Sequence, residues 1–217
     1  MCFWSIKHGY CGMPARLVKS SKFVKGAWAM VFLDDADRPG SLGYHELTPD
    51  GFPLAKVFVR TTLKNGELVS VSASHELVEM LVDPALNMMT TGPKRATVYA
   101  YESADPVEEL SFPVQGIPMS DFVYPSYFEK FRKAGSTKFD HLGKVRRPFQ
   151  VLAGGYQIVM KDGKMSQITG SLAKKRRLAK EDRRGHRSQV RRQRRRTLTR
   201  SSKAEIARSI HRARRRG

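Results

Sequence analysis

The residues best suited to chemistry stand together in one stretch, Ser72-Ala73-Ser74-His75-Glu76-Leu77-Val78-Glu79-Met80-Leu81-Val82-Asp83-Pro84. The spacing predicts a helix over 73–82, capped by Ser72 or Ser74 and stopped by Pro84, which pushes its predecessor out of the α region. Leu77, Val78, Met80 and Leu81 would make its apolar face, with His75, Glu76, Glu79 and Asp83 on the other. His75 and Glu79 are then one turn and roughly 40° apart, so both can point at one object. The metalloprotease helix HExxH presents two zinc ligands in this way, with the intervening Glu as general base. Here the pattern is HExxE. His75 and Glu79 become candidate ligands and Glu76 the candidate catalytic base, activating water whose pKa a metal lowers towards neutrality.

A catalytic zinc needs a third protein ligand and one open position. The best donors are Glu102 and Asp105, in Glu102-Ser103-Ala104-Asp105 at the end of an expected strand. His45 is a further candidate. Asp83, roughly 80° from His75 around the helix, would flank the site. Two plainer readings stand beside this one. The polar residues can be the solvated face of a surface helix. Alternatively Glu79, Asp83, Glu102 and Asp105 are an oxygen-rich set suited to structural calcium or magnesium without catalysis.

The elements that would position these residues are short. Apolar and β-branched runs predict strands at 27–33, the first of them buried, and at 42–47, 55–61 and 96–101. Residues 34–40 and 49–51 read as turns, Asn65-Gly66 as a turn or hairpin tip, and 90–93 as a loop. Residues 112–123 read as two strands about Gln115-Gly116, 124–131 as an aromatic helical turn, and 154–168 as a terminal β-hairpin. The expected fold class is therefore α+β, a small mixed or antiparallel sheet packed on the central helix. The divisions are an N-terminal segment of 1–26, partly ordered; a domain of 27–170; and a disordered basic tail of 171–217.

Charge separates the tail from the body. The chain has 217 residues and net charge +20, and 174–217 hold 20 of its 40 Lys+Arg against three acids, +17. The remainder carries +3. The basic groups are Lys174-Lys175-Arg176-Arg177, Arg183-Arg184, Arg191-Arg192, Arg194-Arg195-Arg196 and Arg214-Arg215-Arg216. With no aromatic residue and few apolar ones, the tail cannot offset its ordering entropy. Such charge condenses on polyanions by counterion release, so the expected partner is nucleic acid, bound without sequence preference. Lys203 to Arg215, with Ile206, Ala207, Ile210 and Ala213 at helical spacing, could fold as a basic helix on an anionic surface. Cys2, His8 and Cys11 form a loose ligand set with no second CxxC to complete it, and read as reduced thiols and a histidine. No apolar run reaches membrane-span length, and Met1 to Lys7 lacks the apolar core of a signal peptide.

Several landmarks together carry a resemblance. They are Gly43-Tyr44-His45, Ser74-His75-Glu76 with Glu79 and Asp83-Pro84, Tyr99-Ala100-Tyr101-Glu102 with Asp105-Pro106-Val107, Ser120-Asp121-Phe122-Val123-Tyr124-Pro125 with Phe128, and Gly154-Gly155-Tyr156-Gln157-Ile158-Val159. In this order, over about residues 27–170, the chain resembles a family of bacteriophage and prophage proteins described as zincin-like or metalloprotease-like. The resemblance implies a phage origin, a zincin-like fold, and a zinc site on the central helix, although zincins proper carry His where this chain has Glu79. The expected function is a phage-type zincin-like metal-binding protein, a metal-dependent peptidase in its enzymatic form, located in the virion or host cytoplasm. The alternative is a non-enzymatic virion or nucleic-acid-associated protein, touching other virion proteins, whose metal site is structural or vestigial.

Overall fold

The structure is a computed structural model describing residues 16–178 apart from Pro39 and Arg95. Cys2, His8, Cys11 and the tail from residue 179, with its arginine clusters and the expected Lys203–Arg215 helix, lie outside the described residues. Within them the fold is α+β. Strands β1 (Ala29–Leu33), β2 (Gly43–Leu47) and β3 (Pro53–Phe58) are followed by helices α1 (Val59–Lys64) and α2 (Val69–Val82). Then come β4 (Met89–Thr91), β5 (Thr97–Ala100), β6 (Ser111–Val114), β7 (Ile117–Ser120), β8 (Tyr156–Lys161), β9 (Lys164–Thr169) and helix α3 (Leu172–Leu178). Two 3-10 turns, Asp105–Val107 and Pro125–Phe128, interrupt the long loops.

The strands form three small sheets. The first has the order β1-β3-β2, with β1 parallel and β2 antiparallel to β3. The second is antiparallel in the order β4-β5-β8-β9, and β6-β7 is a separate hairpin. Helix α2 packs against β2 and β3 on the one hand and β7 on the other. That sandwich explains its burial. Ser74, His75, Glu76 and Glu79 are buried along with Val78, Met80 and Val82, so the polar face is not a solvated one.

The hairpins were legible from their turns. Gln115-Gly116 and Asp162-Gly163 both take positive φ at the two central positions, the geometry whose twist matches paired strands. Other expectations need correction. The third strand stops at Phe58, because the Arg60 and Thr61 amides donate to the Asp34 carbonyl and the chain winds into α1. Asn65-Gly66 consequently joins two helices instead of two strands. Residues 89–91, expected in part as loop, pair with β5. The first strand is an edge strand, and Phe32 and Leu33 are exposed. Helix α2 starts at Val69, so neither Ser72 nor Ser74 is its cap. The Ser74 hydroxyl instead donates to the Ser70 carbonyl at 2.8 Å and accepts the Ser120 amide at 2.7 Å, fastening α2 to β7.

The basic segment expected from residue 171 begins later, because α3 continues the described body to Leu178. Lys174 is buried, its ammonium against Glu108 and 5.3 Å from the Tyr156 ring centroid. It therefore belongs to the body's packing and leaves the expected nucleic-acid set. Lys175 and Arg176 are exposed on the same helix. No helix among the described residues is long and apolar enough to cross a membrane.

One apolar cluster joins Val107, Val123, Tyr127, Phe128, Phe139 and Val145; a second joins Val78 of α2 to Phe112 and Phe122. Beside them, Asp121 and Asp140 are completely buried. Asp121 Oδ1 accepts the Phe122 and Leu142 amides, and Asp140 accepts those of Lys144 and Val145. Burial, then the bond and charge of Asp140, push the Asp121 carboxyl from 3.8 up to about 7, against the two amides that lower it. A carboxyl raised in the folded state holds its proton better there than in the unfolded chain. Its stabilising effect is full below pH 3.8 and is lost as pH rises through about 7. Asp121→Asn should therefore raise Tm most at pH 8, less at pH 5 and least below pH 3.8, by roughly 2–4 °C per kcal/mol recovered. Parallel Tm-against-pH curves for variant and wild type, followed by calorimetry, would assign the proton elsewhere.

Candidate metal centre

Three separate pieces of chain meet at the site. Helix α2 contributes His75, Glu76 and Glu79, β2 contributes His45, and the segment after β5 contributes Glu102 and Asp105. All six are buried. The geometry follows from local constraints. His45 lies opposite Ala55 of β3, which places it in the sheet that α2 covers. Gly43, two residues earlier on the same strand face, gives Glu76 its room: a Cβ there would stand 2.9 Å from Glu76 Cγ and 3.0 Å from the Lys56 carbonyl. On the other side, Gly155 lets the chain entering β8 pass against the turn that carries Asp105. A Cβ at Gly155 would lie 2.1 Å from the Pro106 carbonyl oxygen.

Glu79 is the junction. Its Oε1 accepts the Ala104 amide at 3.1 Å and the Asp105 amide at 3.3 Å. Its Oε2 faces both imidazoles, 3.6 Å from His75 Nε2 and 3.9 Å from His45 Nδ1. Asp105 Oδ1 stands 3.3 Å from His75 Nε2, and Glu76 Oε2 stands 3.5 Å from His45 Nδ1. Two groups of possible ligands result, His75-Glu79-Asp105 and His45-Glu76-Glu79, each with its donor atoms within 4.8 Å of one another.

The electrostatics are those of a crowded, buried set of acids and imidazoles, one that could hold a cation. Burial and the charges of Asp105, Glu102 and Glu76 push the Glu79 carboxyl well above its usual range, although the Ala104 amide opposes this. Burial pushes the His75 imidazole down, but contact with Asp105 and the charges of Glu76, Asp105 and Glu108 outweigh it and hold the imidazole above its ordinary value. Asp105 is 1% exposed, and neither of its carboxylate oxygens accepts a hydrogen bond. Burying a carboxylate in that condition is costly unless a charge compensates it, and the one the chain itself offers is the His75 imidazole 3.3 Å away. The donor types, imidazole nitrogen and carboxylate oxygen, suit zinc and related divalent ions. An all-oxygen calcium set fits less well, because both Asp83 oxygens accept backbone amides, from Asn87 and Met88, and brace the chain leaving α2.

The sequence-expected residues thus meet, with a division among them. Asp105 joins His75 and Glu79; Glu102 lies near enough to raise Glu79 but belongs to neither ligand group. His45, weighed only as a further donor, proves to be a full member through Glu76 and Glu79. Its signal was its place in a strand two residues after Gly43, where the alternation of side chains puts both on the face that meets α2. A cleft of about 220 Å³ reaches the centre, with Leu68, Val71, His75, Glu76, Glu108 and Glu109 among its lining residues.

No family model, curated protein or solved structure matches the chain.

A cation that binds only the folded centre should stabilise it by mass action, by about 2.7 kcal/mol at one hundred times its Kd. Thermal unfolding after chelation should shift upward when zinc is restored to wild type, and Asp105→Asn should remove most of that shift. An equal rise in the variant would mean that zinc binds elsewhere.

Proposed function

We propose that the protein is a divalent-metal-dependent hydrolase, zincin-like in its use of one helix, whose metal ligands are His75, Glu79 and Asp105. The carrying observation is the Asp105 carboxylate, buried and without a hydrogen bond, 3.3 Å from His75 Nε2. A cation in this set would polarise a carbonyl and bring a water's pKa towards neutrality. The chain's own residues do the rest. Glu79 fixes the ligand frame through the Ala104 and Asp105 amides. Glu76 lines the cleft that His75 also lines, so it is placed to activate a water there. The cleft is lined by acidic and apolar side chains together, among them Glu67, Glu108, Leu68 and Val71, and a substrate carbonyl could reach His75 and Glu76 through it.

Glu76→Gln tests the assignment. Hydrolysis of a fluorescently labelled, unstructured polypeptide should fall by on the order of 10²–10⁴, with zinc retained at His75, Glu79 and Asp105 by elemental analysis. Unchanged hydrolysis removes Glu76 from the chemistry. A purified protein with zinc bound and no hydrolysis of any peptide would favour the structural, virion-associated alternative.

The basic tail supports a second activity on the same chain, non-specific attachment to nucleic acid. Removing 179–217 takes away 16 Lys+Arg and three acids while leaving the described body whole. Each phosphate contact adds about −0.9 to the slope of log K against log salt on duplex DNA. The truncated protein should bind DNA weakly with a nearly flat slope. A slope equal to that of the full chain would place the contact on the body.

A further inference from the structure

We infer that the centre takes two divalent cations that share the Glu79 carboxylate, one on His75, Glu79 and Asp105 and the second on His45, Glu76 and Glu79. This rests on the metal-centre reading above and extends it.

The geometry leads there through Glu79. Its Oε1 is engaged by two backbone amides, so Oε2 is the oxygen left to serve a ligand. That one oxygen stands 3.6 Å from His75 Nε2 and 3.9 Å from His45 Nδ1. The remaining donors divide between the two imidazoles: Asp105 Oδ1 lies 3.3 Å from His75, and Glu76 Oε2 lies 3.5 Å from His45. Tetrahedral ligands about 2.0–2.2 Å from a metal sit roughly 3.3–3.6 Å from each other. Both triads therefore have nearly the spacing of a coordination shell before any ion enters. Each is also built from a different partner of α2, β2 for one and the turn after β5 for the other.

Charge points the same way. The two triads hold three buried carboxylates, whose ion-pair partners are the two histidines. A single divalent cation between neutral imidazoles leaves negative charge behind, and Glu102 nearby adds to it. A second cation offsets it. The cleft is lined by one residue from each triad, His75 and Glu76, so a substrate oxygen can approach both positions. Paired cations about 3.5–4 Å apart clamp the attacking and leaving oxygens of a hydrolysis. In this arrangement Glu76 would hold the second cation, and that cation would supply the activation of water that the single-cation reading gives to the free Glu76 carboxylate.

The test uses the full chain, stripped with chelator and dialysed against zinc or manganese. The His45→Ala/His75→Ala double variant supplies the baseline for ions held elsewhere. Above that baseline, wild type should bind two equivalents, and His45→Ala and His75→Ala one each. One equivalent in wild type, lost on changing either histidine, would overturn the pair while upholding a metal centre. None above baseline would overturn both. Because a single variant can fail to fold, wild type loaded with manganese gives an independent readout by electron paramagnetic resonance. An exchange-coupled spectrum is expected; two uncoupled six-line signals would overturn the shared Glu79.

Discussion

The bond on which the centre depends is the one from the Ala104 and Asp105 amides to Glu79 Oε1. It joins α2 to the turn after β5 across 25 residues of chain. It fastens the turn that carries Asp105 directly to the helix that carries His75. With it, one carboxylate oxygen is taken and the other is aimed at two imidazoles. The bond also offsets part of the cost of burying Glu79 among Asp105, Glu102 and Glu76.

That cost shapes the surroundings. A helix that buries His75, Glu76 and Glu79 must be enclosed on more than one side, and α2 is, by β2 and β3 and by β7. Close approach is obtained at two glycines, Gly43 under Glu76 and Gly155 behind Asp105. Ser74 completes the enclosure by accepting the Ser120 amide, replacing a sheet hydrogen bond that the edge of the β6-β7 hairpin would otherwise offer to water. Apolar packing supplies stability at a distance, in the clusters around Tyr127 and Phe122. The polar centre supplies little of it and concentrates charge instead, as sites that bind or react do.

The last described helix, α3, packs near this same region. Lys174 of α3 turns inward to Glu108, which is also part of the cleft wall. The chain's change from mixed charge to polycation is thus anchored, through one buried lysine, beside the entrance to the centre.

Local chemistry was legible in the residues themselves. The Gln115-Gly116 and Asp162-Gly163 hairpins follow from turn preferences, and α2 from its periodicity up to Pro84. Each depends on neighbours in sequence. The pairing of His75 with Glu79 was legible for the same reason, being one helical turn. Whether Glu102 or Asp105 completes the set was not, because one amide hydrogen bond from a distant turn decides it. The burial of α2's polar face, the entry of His45, the inward turn of Lys174 and the winding of Val59 to Lys64 into a helix were likewise settled by tertiary contact. Spacing along a chain constrains which groups can share a face. Only packing determines which of them lose water, and the loss of water is what turns this cluster of acids and histidines into a set that could hold a cation.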